Sequence, residues 1–278
     1  MSVIYVRINR ACSRLGNWML SYASAVSQRP DEPVTFVVQG ESAEGFSPER
    51  YAEMWPRARF EVCAWTDCAM CGKCARVSWD CSTFDVSAVR RSLQCPERVR
   101  RAIFHRFGDV LNDAVSIGVR RGDYLRLPHT HPFVGKSYLR RAVRMFPAGT
   151  TFVVVSDDIG WCKGYFTERR FRGMRFLFSE GGGVLEDLYI PTFCRHNIIG
   201  NSTFHWWGAY LNPNPQKRVI YPAKWLGMAV DKDRMTDRLR FPVCEIVDNP
   251  HGPVFCLKAL CFWAAYSFVG FARRIVRR

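Results

Sequence analysis

What most constrains this chain is a series of short, largely apolar runs, each ending in a polar turn and most followed by a helical stretch. Val3 to Ile8 comes first, with a polar turn from Asn9 to Asn17 and then the helical run WMLSYASAV. Val34 to Val38 repeats the pattern. After an irregular stretch rich in Gly, Pro, Trp and Cys, a helix from Glu97 to Gly108 leads to the strand Ala114 to Val119 and the turn RRGDY. A helix from about Ser137 to Phe146 and the strongly buried run Thr151 to Val155 follow, then short strands at Asn197 to Gly200 and Arg218 to Tyr221. Runs without alternation suit strands covered on both faces, and strands alternating with helices build parallel sheets. Two such series separated by an irregular stretch predict an α/β protein with two Rossmann-like halves. No internal repeat is visible.

Composition narrows the function. The 278 residues carry 40 Lys plus Arg against 25 Asp plus Glu, a formal net charge of +15, and are 48% hydrophobic and 14% aromatic. A chain this apolar buries a sizeable core, which excludes disorder and low-complexity scaffolds. The charge is uneven, because Asp85 to Arg144 holds 13 basic and 5 acidic residues. Such a stripe points to phosphate or nucleic acid, with a solvated arginine-rich surface as the plain alternative. Nucleic acid is not expected, since no reading helix or stacking sheet accompanies the charge.

Twelve cysteines would suit a disulfide framework in a small secreted chain, yet MSVIYVRINR meets Arg7, Asn9 and Arg10 before an apolar signal core can form. Reduced thiols in a cytoplasmic setting are the expectation. Cys68, Cys71 and Cys74, with Cys63 or Cys81 nearby, have metal-ligand spacing and are candidates for a structural zinc; free thiols in an irregular insert are the alternative. Val254 to Ala272 contains one charge, Lys258, and is followed by RRIVRR. That length just reaches across a bilayer, but four terminal arginines oppose crossing from a cytosolic domain. A packed C-terminal apolar helix or membrane contact through 254–278 is expected instead.

Three strings carry chemistry. GVRRGDY follows a buried strand, where the forked guanidiniums of Arg120 and Arg121 suit the oxygens of a diphosphate; a surface turn closed by Asp123 explains the string as well. FVVVSDDIGWC delivers Asp157 and Asp158 to a strand end, placed to accept hydrogen bonds from sugar hydroxyls or guanine, to hold a metal, or simply to cap the next helix. HNIIGNSTFHWWGAYLNPNP runs into Asn201, Ser202 and Thr203 at a helix start, where hydroxyls and N–H groups form an anion site. Cys162 and Cys194, within or beside these strings, read as packing residues.

Together GVRRGDYL, FVVVSDDIGWCKGYF and DLYIPTFCRHNIIGNSTFHWWGAYLNPNPQKRVIYPAKW resemble the motif blocks of family 11 glycosyltransferases, the α-1,2-fucosyltransferase family, and RLGNWMLSYASA resembles its opening block. The resemblance runs from about Val3 to Val247. It implies a GT-B-like arrangement, two Rossmann-like domains facing a cleft, and an inverting transfer from GDP-fucose without a catalytic metal. The implied boundaries are an acceptor-side domain at 1–105 with a Cys-rich insert at 60–95, a GDP-fucose-binding domain at 106–247 and an extension at 248–278. By similarity Arg120 stabilises the leaving group and Asp123 holds the arginine pair. Asp157 and Asp158 read base or ribose, while Ser202, Thr203, Phe204 and His205 line the phosphate and base pocket with Arg121. Asn17 faces the sugar or diphosphate. The expected partners are a nucleotide-sugar donor and a glycan acceptor.

The chain departs from the family pattern in places. Gly118 stands where the family usually has histidine, His205 where it has serine, Trp18 where it has glutamine, and Ser13-Arg14 where it has a glycine pair. His205 is a candidate replacement for the missing imidazole, and a catalytically weak nucleotide-sugar or glycan-binding relative is the alternative. No general base stands out among His129, His131, Asp123 and Glu168. A basic zinc-containing nucleic-acid-binding protein is the more distant rival.

Overall fold

The computed structural model describes residues 4–9, 14–39, 48–55, 58–63, 74–132, 134–227, 237–250, 255–257, 259–262 and 264. The chain divides into two compact units, Met1–Arg106 with Val184–Tyr189, and Phe107–Gly183 with Ile190–Arg278. Both are α/β with parallel sheets, the fold class expected from the alternating runs.

The first unit contains β1 (Ile4–Asn9), α1 (Leu15–Gln28), β2 (Val34–Gln39), β3 (Ala58–Cys63), α2 (Val86–Ser92) and most of α3 (Glu97–Phe107). Its sheet has the order β1-β2-β3, all parallel, with Val6, Phe36 and Phe60 in register. Helix α1 puts Leu15, Trp18, Met19, Tyr22, Ala23 and Val26 on one stripe at helical spacing, and all six are buried. Its serine side is covered too. Ser24 Oγ accepts the Ser78 N–H at 2.8 Å, and Trp79 Nε1 donates to Ser21 Oγ at 3.2 Å. Tyr22 and Phe36 both pack on Trp55, with ring centroids 5.0 and 5.3 Å away.

One expectation changes in this unit. Asn17 lies inside the first turn of α1 rather than in a loop. The irregular stretch after Val38, expected to hold loops and short elements, contains the six-residue strand β3, whose Arg59 and Glu61 are exposed while Ala58 and Phe60 are half-buried. Of the cysteine cluster, Cys68 and Cys71 lie outside the described residues, as does the side chain of Cys63. Cys74 and Cys81 are half-buried. Among the described residues no group of three or more His, Cys, Asp or Glu is arranged to hold a metal.

The second unit holds β4 (Val115–Val119), α4 (Lys136–Val143), β5 (Thr151–Ser156), α5 (Ile159–Tyr165), β6 (Arg175–Phe178), the end of α6 (Val184–Phe193), β7 (His196–Ile198), α7 (Thr203–Leu211), β8 (Val219–Pro222) and β9 (Glu245–Val247). The sheet order is β6-β5-β4-β7-β8-β9, and every pairing is parallel. The chain starts mid-sheet at β4, steps outward through β5 and β6, then returns to the other side of β4 and steps outward again. That order has a topological switch point between β4 and β7, and open α/β sheets bind ligands outside the carboxyl ends of the strands there.

All five residues of β4 are buried, and its Val115, Ile117 and Val119 share a core with Phe152, Val154, Ile198 and Ile220. Polar groups pin β7 and β8. The Tyr138 hydroxyl lies 2.7 Å from Ile199 O and 3.1 Å from Ile220 O, and buried Asn197 donates to Ser116 Oγ and Pro191 O, both at 2.8 Å. Cys162 and Cys194 are buried. Beyond β9, helical residues are described at 255–257, 259–262 and 264, and the rest of the expected apolar helix lies outside the described residues. Among the described residues no helix is long and apolar enough to cross a membrane.

Candidate functional site

Strand β4 ends at Val119 and hands Arg120 and Arg121 to the switch point. Carboxylates take up three nitrogens of Arg120: Nε and Nη2 lie 3.0 and 2.9 Å from Asp123 Oδ1, and Nη1 lies 3.1 Å from Asp157 Oδ2. A guanidinium carries five N–H donors, so the clamp still leaves donors for an anion. Burial works against the charge on Arg120, but Asp157 and Asp123 outweigh it, and the pKa moves up from its ordinary value. Arg121 is held differently. Its guanidinium carbon sits 3.9 Å from the Trp161 ring centroid, and its Nε donates to Asp158 Oδ2 at 3.0 Å.

Asp123 thus holds Arg120 of the arginine pair directly. Asp157 ties the two arginines together, since its Oδ1 accepts the Arg121 backbone N–H at 2.8 Å while its Oδ2 meets Arg120. Asp158 is both the N-cap of α5, accepting the Trp161 N–H at 3.1 Å, and the partner of Arg121. The hydrogen bond from Arg121 and then that from Trp161 hold its carboxyl below the usual carboxylate range. In this arrangement Asp157 and Asp158, expected at base or ribose, are engaged by arginine.

On the far side of β4, β7 runs through Gly200 and Asn201 into Ser202, the N-cap of α7. Ser202 makes no side-chain cap bond; Thr203 opens the helix and Phe204 is half-buried. The middle of α7 is anchored by Trp206 and Trp207, both fully buried, with Trp206 Nε1 donating to Leu239 O at 2.6 Å. His205 is buried against β4. A Cβ on Gly118 would lie 2.8 Å from both its Cβ and Cδ2 and closer still to Cγ, and one on Gly200 would lie 3.3 Å from its Nδ1. Burial, then the Arg120 charge, lowers the His205 pKa to about 3, so the ring is neutral at neutral pH. Gly122 is needed for a similar reason, because a Cβ there would meet Asp157 Oδ2 at 2.6 Å.

Two aromatic residues belong to this cluster that the sequence reading passed over. Trp161 is the shelf under Arg121. Tyr124 lies under Arg120, with the guanidinium 5.8 Å from its ring centroid, and its hydroxyl donates to Asn201 O at 3.1 Å, linking the turn after β4 to the turn after β7. Burial pushes Tyr124 up to about 12, which keeps the hydroxyl a donor. Both stand within the quoted strings, next to the arginines or after the aspartates, so aromatic residues beside paired guanidiniums were the available signal.

The candidate bases separate. His131 stacks on Tyr124, centroids 4.7 Å apart, and burial lowers its pKa against the pull of Asp123. His129 is buried and its ring lies parallel to Phe262, 6.1 Å away. Glu168 is far along the chain path, in the turn before β6, where its Oε1 accepts the Gly173 N–H at 3.0 Å. Asn17 belongs to the first unit.

Fold and site together define a doubly wound α/β protein with an arginine–carboxylate cluster at the carboxyl ends of its central strands, the position at which such sheets take phosphorylated ligands. The profile of glycosyl transferase family 11 matches residues 82–229, just over half of the chain. The chain belongs to glycosyl transferase family 11. Among its relatives, the O-antigen biosynthesis glycosyltransferase WbnK of Escherichia coli is 32% identical over 120 residues, covering 41% of this chain and 39% of the relative. An alpha-1,2-colitosyltransferase of Escherichia coli is 33% identical over 119 residues, covering 41% of each chain. The galactoside 2-alpha-L-fucosyltransferase Sec1 of Mus musculus is 32% identical over 143 residues, covering 42% of this chain and 38% of its own. The chain thus matches about two fifths of the length of these relatives.

Proposed function

We propose that the protein transfers L-fucose from GDP-fucose to a glycan hydroxyl with inversion, forming an α-1,2 linkage to galactose or a similar sugar. The observation that carries this reading is the Arg120–Arg121 pair at the switch point, held by three carboxylates beside the N-terminus of α7. The relative named as a fucosyltransferase supports fucose, and the relative named as a colitosyltransferase makes donor choice part of the test.

In the proposed reaction the bond between the sugar C1 and the diphosphate oxygen breaks as the acceptor oxygen attacks the opposite face. Negative charge collects on the departing GDP, where Arg120 neutralises it with the donors its carboxylates leave over, and the N–H groups opening α7 add to this. Asp123, Asp157 and Asp158 act through the arginines by fixing their forks. Ser202, Thr203, Phe204, His205 and Arg121 form the donor pocket, and no catalytic metal takes part. The acceptor's proton passes to a base, for which His131, stacked on Tyr124, and Asp123, bound to Arg120, are the candidates in the cluster.

A second reading has one observation in its favour. The imidazole packed on Gly118 is neutral and buried, so a relative that binds nucleotide sugar with little turnover fits as well. Titration with GDP, GDP-fucose and duplex DNA across salt, with GDP release followed in the presence of a glycan acceptor panel, separates the readings. GDP-fucose binding with acceptor-dependent GDP release supports the transferase, and binding without release supports the weak relative. DNA binding with a steep salt slope and no GDP binding would overturn both.

We further propose a cytoplasmic location, and we keep the Cys68, Cys71 and Cys74 cluster, with Cys63 or Cys81, as a candidate structural zinc site against free thiols, and 254–278 as a candidate membrane contact against a packed helix. Zinc content of the purified protein, cell fractionation and vesicle flotation with and without that segment test the three in turn.

A further inference from the structure

The same six-stranded sheet has a second arginine cluster at its opposite end. Arg144 follows α4 and precedes β5, while Arg169, Arg170 and Arg172 lie in the turn between α5 and β6; with Phe171 and Met174 they line a cavity of about 310 Å³. Because β4, β5 and β6 are parallel, these residues sit where β5 and β6 begin, whereas Arg120 and Asp157 sit where β4 and β5 end. Strand β5 has six residues, so the clusters are separated by about 20 Å along the sheet. One small ligand does not reach both.

The turn is built, and its cations are not neutralised. Gly149 N–H donates to Gly173 O at 2.7 Å and Arg175 N–H to Thr150 O at 3.1 Å, which ties the two loops into one wall. Arg170 is fixed by Tyr165, donating to its carbonyl at 2.9 Å with the guanidinium 4.7 Å from its ring centroid, and buried Phe171 forms an apolar floor. Among the described residues none of Arg144, Arg169, Arg170 and Arg172 forms an ion pair. The carboxylate of Glu168 in the same turn accepts the Gly173 N–H and keeps its charge, one acidic group beside four arginines. Guanidiniums gathered around one cavity repel each other until an anion joins them, and their forks match phosphate oxygens in pairs.

We propose that this cavity is a binding site for a small phosphate-bearing ligand, separate from the donor site. Its size, at the lower end of ligand cavities, fits a pyrophosphate, a small phosphate ester or a single phospholipid headgroup. The shared chemistry is a phosphate dianion or diester seated on an arginine fork above an apolar floor. It does not depend on the fucosyltransfer reading.

Calorimetry with sodium pyrophosphate tests it, using the Arg120→Ala protein so that the cluster at the other end of the sheet contributes least. One binding event is expected there, weakened about tenfold or more by adding Arg169→Ala and Arg172→Ala. These two side chains are exposed, and circular dichroism verifies the fold of the variants. Co-sedimentation with phosphatidylcholine vesicles, with and without phosphatidylglycerol, identifies the source. Loss of phosphatidylglycerol-dependent binding in Arg169→Ala/Arg172→Ala assigns a headgroup, while binding of pyrophosphate alone assigns a free phosphate compound. The proposal is overturned if the double variant binds both probes as wild type does. It is also overturned if Arg169→Lys/Arg172→Lys binds as wild type, since charge without the fork would then suffice.

Discussion

The two ends of the six-stranded sheet use the same side chain in opposite ways. At the carboxyl end two arginines face three carboxylates and two aromatic rings, and even the glycines there have their side-chain space occupied. At the amino end four arginines face a cavity, and Gly149 has nothing within 4 Å of where its Cβ would be. Guanidiniums paired with carboxylates are fixed in direction and keep only part of their capacity for an anion; at the amino end Arg170 is held by Tyr165 without a carboxylate, and the cluster keeps more of its capacity. Orientation suits a transition state whose charge appears at one place, and capacity suits retention of an anion already formed.

On that contrast, the largest effect comes from removing the cation that is best oriented. Arg120→Ala is expected to lower GDP-fucose turnover by about 10²–10³-fold, roughly 3–4 kcal/mol of transition-state stabilisation, with an intact fold by circular dichroism. A fall of less than tenfold would show that the clamp serves structure alone.

Crowding gives the next effect. Gly118→Ala drives a methyl group into the His205 ring and is expected to cost about 1–3 kcal/mol by denaturant unfolding, with most of the activity. Gly118→Ala combined with His205→Ser should recover much of the stability, since the second change clears the space. Failure of the pair to couple would place the crowding elsewhere. The ring also makes a pH prediction. Its folded pKa of about 3 lies below the ordinary 6.5, so the unfolded chain binds the extra proton between those values and stability rises with pH across that window. Wild type should therefore lose up to about 1.4 kcal/mol per pH unit from this group below pH 6.5, and His205→Ser should lack that component.

Part of this was legible in the chain and part was not. Strands β4 and β5 announce themselves because nearly every residue is apolar and buried, and the strings after them do carry the site. Strand β3 was expected only as some short element, because ARFEVC alternates charge with apolar groups inside a cysteine-rich, irregular stretch. Gly16 and Asn17 are weak helix formers, and they disguised the first turn of α1 as part of a loop. The clamp was hidden for another reason. Asp157 meets residues 36 and 37 positions earlier in the chain, and only the β4–β5 register fixes which carboxylate meets which arginine.

A smaller effect belongs to Asp158, which has two partners. Asp158→Asn should cost about 1 kcal/mol, because Asn still caps α5 while the charge on Arg121 loses its counterion, and that half-buried pair contributes modestly. The folded pKa is depressed, so the contribution is present above the unfolded carboxylate value near 3.9 and is lost as pH falls through the lower folded value. The difference in stability between wild type and variant should therefore close below about pH 4. A difference that persisted at pH 2 would mean that the hydrogen bonds, and not the charge, carry it.

The smallest effect is expected at the amino end, where it is also the sharpest test of the contrast. Arg169→Ala/Arg172→Ala removes two exposed side chains that form no ion pair among the described residues, so thermal unfolding in phosphate-free buffer should change by no more than about 0.5 kcal/mol. The variant should even gain slightly at low salt, because two repelling charges leave a crowded turn, and the gain should fade as salt rises above about 0.15 M. A clear loss of stability would mean that these arginines are packed and paired as Arg120 and Arg121 are. The two ends of the sheet would then differ in position and not in kind.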